Sequence, residues 1–147
     1  MKKLIPLAMF ATFLALMILW RWAGPFGKFL GPPATYLGVL PALMGSILSI
    51  LGLRRLMKAG TTVKAFHQPQ RLVTDGIYRY TRNPIYLGLA LVLAGACILM
   101  GAGCLLVPVA IFVAIADRWI VRAEDRMLSQ KFGQEFEAYR GRTRRWI

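Results

Sequence analysis

Residues 72–88, LVTDGIYRYTRNPIYLG, interrupt a very apolar chain near its centre with a polar and aromatic run. The triplet at 74–76, Thr-Asp-Gly, predicts a turn, because Asp bonds to nearby backbone groups and Gly accepts a positive φ. Asn83 and Pro84 predict a helix start, with Asn83 as the N-cap and Pro84 at the first helical position, where the missing N–H costs nothing. Tyrosines and arginines are thereby held against the positive end of a helix dipole, which favours a binding site.

The composition favours an integral membrane protein. Of the 147 residues, 57% are hydrophobic and only 17% are charged, and the mean hydropathy is +0.53, which leaves too little polar surface for a soluble domain. The net charge of +13 would also suit a nucleic-acid-binding protein. However, basic residues collect between and after the apolar segments, as the positive-inside rule expects of cytosolic loops. Membrane lipids are therefore the expected partners, and nucleic acid is not.

The apolar segments predict one all-α membrane domain over residues 1–147, with about four transmembrane helices and both termini in the cytosol. The predicted spans are 4–20, 34–53, 85–100 and 104–121. A cytosolic loop is predicted at 54–83 and an amphipathic cytosolic helix at 117–140, interrupted at Gly133. The turn at 101–103, Gly-Ala-Gly, makes the last two spans a helical hairpin. The inner membrane of a prokaryote is the expected location.

Small residues give the second span one face that a neighbouring helix can approach closely. Gly38, Ala42, Gly45, Ser49 and Gly52 recur in alternating steps of four and three, which places them on one side of a helix. Membrane helices pack through such faces because small side chains let two backbones come together. We therefore predict a packing seam here rather than a chemical site.

Three further features are interpreted as structural. Cys97 and Cys104 lack a CxxC spacing, so apolar packing is predicted for them rather than a disulfide or a metal site. The N-terminal apolar run ends in Trp-Arg-Trp at 20–22 rather than in a small-residue cleavage site, so it is interpreted as a transmembrane helix. Pro108 is expected to kink the fourth span.

The predicted topology brings the central loop and the C-terminal helix to the same side of the membrane. The side chains expected to face each other are Tyr78, Arg82, Asn83 and Tyr86 from the loop and the following helix start, and Arg118, Arg122, Glu124 and Asp125 from the C-terminal helix. Ionisable groups near membrane depth are often functional, so this cluster is the candidate site for a small zwitterionic ligand. Ordinary interfacial ion pairs are the alternative interpretation.

The stretch at 72–88, followed after one hairpin by EDRMLSQKFGQEFEAYRGR at 124–142, closely resembles a known superfamily. Its members are the membrane-embedded isoprenylcysteine carboxyl methyltransferases and phospholipid methyltransferases. Their pattern is Gly-x-Tyr, then Arg-(His/Asn)-Pro-x-Tyr-x-Gly, a hairpin, a Glu-Glu pair and a Phe-Gly-x-Glu-Tyr-x-x-Tyr tail. The resemblance covers residues 66–142, with both motifs in order and at the right separation.

The resemblance implies an S-adenosylmethionine-dependent methyltransferase that acts on a lipophilic acceptor from the bilayer. Its cofactor would lie at the cytosolic face, in contact with Tyr78, Asn83, Tyr86, Gly88, Arg122, Glu124 and Asp125. Arg82 would position the acceptor, and Glu124 would be the base if the acceptor must lose a proton. His67 falls near a histidine of the prenylcysteine branch, although a solvated loop residue is an equal interpretation.

The sequence leaves the acceptor open. Asn83 matches the phospholipid branch where prenylcysteine enzymes have His, Asp125 replaces the second Glu, and the chain ends TRRWI without a proline that often follows the last arginine. A lipid amine, a prenylcysteine-type carboxylate or an apolar thiol would each suit the pattern. A small four-helix exporter and a non-catalytic membrane scaffold are the alternatives from other functional classes.

Overall fold

The computed structural model describes residues 5–23, 30–61 and 70–147, and every regular element in these ranges is helical. The α-helices are α1 (Ile5–Ala23), α2 (Val39–Lys58), α3 (Pro84–Met100), α4 (Leu106–Ile115), α5 (Arg122–Phe132) and α6 (Gln134–Arg142). Three 3₁₀ segments (Ala34–Gly38, Gly76–Arg79 and Gly103–Leu105) and one π-helical segment (Ala116–Val121) join them. The all-helical fold is thus confirmed for the described residues.

Within the ranges that the structure describes, two helices are long and apolar enough to cross a membrane. They are Pro6–Ala23, with 18 residues, and Ala34–Lys58, with 25 residues. The second helix continues to Lys58, beyond the predicted end of the span at residue 53. Pro84–Met100 is apolar but shorter, so the crossing of the membrane by α3 and α4 stays a prediction.

The packing seam predicted on the second span is confirmed, and α3 is its partner. A Cβ atom built on Gly38 would lie within 3 Å of the Gly95 carbonyl oxygen, and one built on Gly45 would overlap the carbonyl oxygen of Gly88. The Ser49 hydroxyl donates a hydrogen bond to the Ile85 carbonyl, 3.2 Å away. Because backbones meet directly at these positions, only glycine fits on both sides of the contact.

The helices run alternately between two ends of the bundle. At one end, Arg21 at the close of α1 donates from Nε to the Met100 carbonyl, 3.2 Å away. At the same end, the amide of Leu30 donates to the Gly101 carbonyl, 3.1 Å away, and Gly101 has the positive φ of +66° that the predicted hairpin turn requires. At the other end, which we call the site end, Met9 of α1 packs against the cluster that contains Tyr86.

Exposed aromatic side chains lie at both ends of the bundle. At the end that carries the Gly101 turn, which we call the hairpin end, Trp22 and Tyr36 are 89% and 66% exposed. Tyr80 and Trp119 are 77% and 75% exposed toward the site end. Between these rings, large aliphatic side chains of α1 and α2 face outward. Tryptophan and tyrosine favour the membrane–water interface, so this pattern supports the membrane association of the protein.

The core lies where α1, α3 and α4 meet. Met17, Leu93 and Phe112 are fully buried there, and the Phe13 and Phe112 rings pack edge to face with centroids 5.7 Å apart. Cys97 lies in this core, and its thiol donates to the Ala102 carbonyl, 3.5 Å away. The apolar packing predicted for Cys97 is therefore confirmed.

The fourth predicted span is distorted at the π-helical segment and not at Pro108, where a kink was expected. Pro108 occupies the first turn of α4, where its missing N–H breaks no helical hydrogen bond. The regular α-helix is interrupted instead by the π-helical segment Ala116–Val121, which connects α4 to α5. Gly133, with φ +49° and ψ −121°, then separates α5 from α6, as predicted.

Candidate functional site

The start of α3 forms one wall of the site. Asn83 is its N-cap and Pro84 its first residue, as predicted, and the Asn83 carbonyl accepts from the Leu87 amide at 3.0 Å. The Asn83 side chain does not cap the helix, however. Its Nδ2 donates to the carbonyl oxygen of Arg145, 3.0 Å away. The prediction of the position was therefore correct, whereas the side chain is used to hold the C-terminal tail.

The turn predicted at residues 74–76, before α3, is also present. Gly76 has a φ of +61°, which few other residues adopt without strain. Asp75 precedes it, but the Asp75 carboxylate does not bond to its own backbone as expected. It accepts instead from Nε of Arg55, 2.7 Å away, and so ties the central loop to the end of α2.

Tyr86 and Glu124 meet across the site, as the sequence predicted. The Tyr86 hydroxyl on α3 donates to Oε1 of Glu124 on α5 at 2.9 Å. Burial raises the pKa of Glu124 from 4.5 to about 7, the Tyr86 hydrogen bond opposes this rise, and the neighbouring charge of Asp125 adds to it. The Glu124 carboxyl therefore changes its protonation state close to neutral pH, which is a property of groups that exchange protons.

Arg82 and Asp125, from the two sets of residues expected to face each other, are also in contact. Nη1 of Arg82 lies 3.3 Å from Oδ1 of Asp125, and both side chains are largely buried, with 8% and 13% of their area exposed. The Arg82 guanidinium also lies over the ring of Phe136, 5.8 Å from its centroid. Oδ2 of Asp125 accepts from Nη2 of Arg145 at 3.2 Å. Asp125 thus holds one arginine on each carboxylate oxygen.

Tyr78 lies near Glu124 and Tyr139. It is buried, and its burial together with the negative charge of Glu124 raises the pKa of the Tyr78 hydroxyl above its usual value of 10.0. The hydroxyl therefore stays protonated and can act as a hydrogen-bond donor over the whole physiological range. The Tyr78 carbonyl accepts from the Tyr139 hydroxyl at 2.7 Å, which fixes the loop against α6.

The C-terminal tail at 143–147 completes the site, and sequence reasoning did not predict this. The amide of Arg82 donates to the Arg144 carbonyl at 3.1 Å, and the Thr81 hydroxyl donates to the Arg145 carbonyl at 3.3 Å. The Thr143 hydroxyl donates to the Arg79 carbonyl at 3.4 Å. All three bonds are accepted by backbone carbonyls of a distant segment, and residue types carry little signal for such an acceptor.

Asp117 is a site residue that the sequence analysis did not select. Its Oδ1 accepts from Nη1 of Arg145 at 3.3 Å and from the indole N–H of Trp146 at 3.0 Å. Its Oδ2 lies 3.6 Å from Nε of Arg122. Asp117 lies in the π-helical segment, and such segments recur at functional sites. An acidic residue directly after an apolar span was the signal that could have identified it.

Other selected residues lie away from this cluster. Gly88 belongs to the seam, where Gly45 and Ser49 occupy the space next to its α-carbon, and its predicted contact with the cofactor stays a prediction. Arg118 is exposed. His67 falls outside the residues that the structure describes, so its interpretation stays open.

A cleft of about 400 Å³ opens beside the cluster. Its lining residues are Arg122, Asp125, Arg126, Ser129, Arg140 and Arg145. Two of them, Arg122 and Asp125, were selected as cofactor contacts. The volume lies within the range of small-molecule sites. The cleft is therefore large enough for a ligand of the size of a nucleoside or a lipid headgroup.

Comparison with known proteins supports the resemblance. The family model described as phospholipid methyltransferase matches residues 33–135, which is more than half of the chain and includes both Tyr86 and Glu124. A protein of Haemophilus influenzae described as uncharacterized is 30% identical over 63 residues, which are 43% of this chain and all of that protein. No solved structure matches the chain significantly. The chain therefore belongs to the phospholipid methyltransferase family.

Proposed function

We propose that the protein is an S-adenosylmethionine-dependent methyltransferase of the membrane whose acceptor is the amine of a lipophilic, phospholipid-type molecule. The observation that carries this proposal is the hydrogen bond between Tyr86 and Glu124, 2.9 Å long, at the start of α3. Because the chain belongs to a methyltransferase family, this bond singles out Glu124 as a carboxylate suited to take up a proton.

The state of Glu124 is the reason to prefer an amine over a carboxylate acceptor. An amine is protonated at neutral pH and has no lone pair for attack until it loses that proton, whereas a carboxylate needs no base. A carboxyl group with a pKa of about 7 is a much better proton acceptor than an ordinary glutamate. Asn83, which matches the phospholipid branch of the superfamily, points in the same direction.

The residues around Arg82 fit the cofactor chemically. S-adenosylmethionine carries a carboxylate, an ammonium group and a ribose diol, which need cationic and anionic partners. Nε of Arg82 is buried and has no hydrogen-bond partner among the described residues, so this guanidinium still has a donor to offer an anion. Tyr78, Asn83, Arg122, Glu124 and Asp125 are the residues that would hold the cofactor, and Arg82 would face the acceptor. The cofactor would supply an electrophilic methyl group on a sulfonium sulfur.

The contributions of the protein are then deprotonation, orientation and exclusion of water. Glu124 takes the ammonium proton of the acceptor, and the Tyr86 hydroxyl holds the carboxylate in place for this step. Arg82, fixed by Asp125 and Phe136, positions the acceptor headgroup. Methyl transfer is an in-line displacement, so the orientation of the reacting atoms supplies most of the rate enhancement.

The proposed orientation places the site end in the cytosol. In the described ranges, basic residues are concentrated at that end, with Arg54, Arg55 and Lys58 at the close of α2 and Arg79 and Arg82 in the loop. The hairpin end carries Arg21. This asymmetry supports four crossings with both termini in the cytosol of a prokaryote.

Calorimetric titration of the protein in a maltoside detergent with S-adenosylhomocysteine, the expected product, tests the proposal. We expect binding in the micromolar range for the natural protein, and its loss in Glu124→Ala. Methyl transfer to an ethanolamine phospholipid should be lost in Glu124→Ala and Arg82→Ala. The control is Tyr80→Phe, which changes an exposed tyrosine that is 77% accessible. Absence of any binding to the natural protein would reject the enzyme and favour a non-catalytic scaffold.

A further inference from the structure

Asp117 binds two consecutive residues of the C-terminal tail, although it lies far from the tail along the chain. Its Oδ1 accepts from Nη1 of Arg145 at 3.3 Å and from the indole N–H of Trp146 at 3.0 Å. The side chains of Asp117 and Arg145 are only 22% and 29% exposed, so this is not one of the fully solvated ion pairs that contribute little. Asp117 is therefore an anchor for the tail at 143–147.

The π-helical segment explains how one arginine reaches both Asp117 and Asp125. Nη1 of Arg145 lies 3.3 Å from Oδ1 of Asp117, and Nη2 of Arg145 lies 3.2 Å from Oδ2 of Asp125. In a regular α-helix, the separation between positions 117 and 125 would leave these side chains about 80° apart around the axis. A π-helical turn contains more residues, so each residue advances by a smaller angle, and Asp117 turns toward the line of Asp125.

Asp125 passes the constraint from Arg145 on to Arg82. Oδ1 of Asp125 lies 3.3 Å from Nη1 of Arg82, whose side chain is only 8% exposed. With one guanidinium on each oxygen, the carboxylate has a single orientation that satisfies both partners, and such networks are more rigid than separate pairs. Without Arg145, the carboxylate can turn and Arg82 loses a fixed partner.

Trp146 carries a second constraint to Tyr86 by packing. The partly buried Trp146 side chain packs against the apolar cluster that contains Tyr86, Ala116, Ile120 and Val121. The hydrogen bond from its indole to Asp117 fixes the orientation of the ring in this contact. The Tyr86 hydroxyl donates to Glu124 at 2.9 Å, so the Trp146 ring supports the residue that holds the proposed base.

We infer that Asp117 is a positioning residue for methyl transfer, which acts through Arg145 on Arg82 and through Trp146 on Tyr86. The inference rests on the proposed function, in which Arg82 faces the acceptor and Glu124 takes its proton. An in-line displacement depends on the orientation of the reacting groups, so a small shift of either group lowers the rate. Reacting groups keep their geometry only when a supporting set of contacts holds them, and Asp117 supplies such contacts from the opposite side of Arg145.

Neutralisation of arginines near the membrane edge is the simpler alternative. Oδ2 of Asp117 also lies 3.6 Å from Nε of Arg122, and a partly buried carboxylate between two cations can stabilise a fold without affecting the reaction. This alternative predicts that substitution of Asp117 lowers the thermal unfolding midpoint but leaves kcat unchanged at temperatures where the protein is folded.

A double-mutant cycle in kcat tests the inference on the intact protein in a maltoside detergent, with an ethanolamine phospholipid as the acceptor and saturating S-adenosylmethionine. Asp117→Asn keeps an oxygen that can accept from Trp146 but removes the charge that holds Arg145. We expect this substitution to lower kcat about tenfold in the natural protein. In the Arg145→Gln background it should lower kcat by less than about twofold, because the residue through which it acts is gone.

Two results of this cycle would overturn the inference. Equal losses of kcat in both backgrounds would show that Asp117 acts independently of Arg145. An unchanged kcat in Asp117→Asn would show that the tail does not need this anchor. Glu137→Gln is the control, since it removes a carboxylate of α6 that is 49% exposed, and it should leave kcat unchanged.

Fluorine NMR of protein labelled with 5-fluorotryptophan follows the tail independently of activity. The chain contains four tryptophans, and Trp146→Phe assigns the resonance of Trp146. Asp117→Ala removes the acceptor of the indole N–H and should move this resonance, whereas Asp117→Asn should move it less. A Trp146 resonance that stays in place in Asp117→Ala would overturn the inference whatever the activity of the variant.

Binding of S-adenosylhomocysteine separates the failure of this inference from the failure of the proposed function. Absence of binding to the natural protein would reject the proposed function, and the inference with it. Binding and turnover by the natural protein, together with an unchanged kcat in Asp117→Asn, would reject only the positioning role of Asp117. A lower thermal unfolding midpoint in that variant would then assign Asp117 a purely structural role.

Discussion

Tyr86→Phe is expected to move the pH dependence of methyl transfer to higher pH. The substitution keeps the ring in its buried position but removes the hydroxyl that donates to Glu124 at 2.9 Å. This hydrogen bond stabilises the charged form of the carboxyl group, and therefore lowers the pKa of Glu124 against the effect of burial. Its loss leaves burial and the charge of Asp125 unopposed.

The magnitude follows from the energy of one hydrogen bond to a charged group. Such a bond contributes about 1.5–3 kcal/mol, and one pKa unit corresponds to about 1.4 kcal/mol. Partial access of water to the carboxyl reduces the effect, so we expect a rise of about one unit from the natural value of about 7. Glu124 can accept a proton only as the ionised carboxylate, which predominates above the pKa of Glu124. The rate should therefore increase with pH through about 7 in the natural enzyme, and through a correspondingly higher pH in Tyr86→Phe.

The assay is the initial rate of radiolabelled methyl transfer to the amine acceptor between about pH 5.5 and pH 9.5, at saturating cofactor. Tyr80→Phe is the matched control, because Tyr80 is exposed and its removal should leave the midpoint unchanged. A midpoint that stays in place or moves to lower pH in Tyr86→Phe would refute the assignment of Glu124 as the base. Loss of all activity at every pH would instead assign Tyr86 a direct part in binding.

Three further predictions concern packing, the tail and topology. Gly45→Ala places a methyl group against the Gly88 carbonyl and should lower the thermal unfolding midpoint in detergent by several degrees, since overpacking costs about 1–3 kcal/mol. Gly141→Ala is the control, because no atom lies within 4 Å of the added methyl group, and it should leave the unfolding midpoint unchanged or raise it. Arg145→Gln removes the partner that Asp125 shares with Asp117, and turnover should fall at least about tenfold, whereas full turnover would show that the tail is dispensable. A reporter fused to the C-terminus should signal from the cytosol, and a periplasmic signal would contradict the four-span topology.

Much of the site could be predicted because its residues occur as local patterns. The N-cap and first position of α3, the positive φ of Gly76 and the glycine seam on α2 each depend on a few neighbouring residues. That the set containing Arg82 and Tyr86 faces the set containing Glu124 and Asp125 was predictable, because a hairpin returns the chain to the end where it started. Local rules and a two-helix topology were therefore sufficient for these features.

The uses of individual side chains could not be predicted in the same way. Asn83 bonds to the Arg145 carbonyl and Asp75 to Arg55, although the types and positions of both residues favoured bonds to their own backbone. A polar side chain satisfies whichever partner the fold brings within reach, and a buried site offers distant partners as readily as local ones. Gly88, which occupies a motif position, packs against Gly45 and Ser49 of α2.

The sequence by itself determined an apolar, all-helical chain with a close-packed glycine seam and a cationic, aromatic helix start at its centre, because these depend on composition and on short-range spacing. Only the tertiary structure decided that the tail at 143–147 returns to the site, and that Asp117 and Asp125 share Arg145. The physical reason is that ion pairs and hydrogen bonds between segments, unlike those within a helix, have no fixed separation along the chain. Which partners meet is set by the path of the whole backbone, and here the π-helical segment Ala116–Val121 carries Asp117 within reach of the tail.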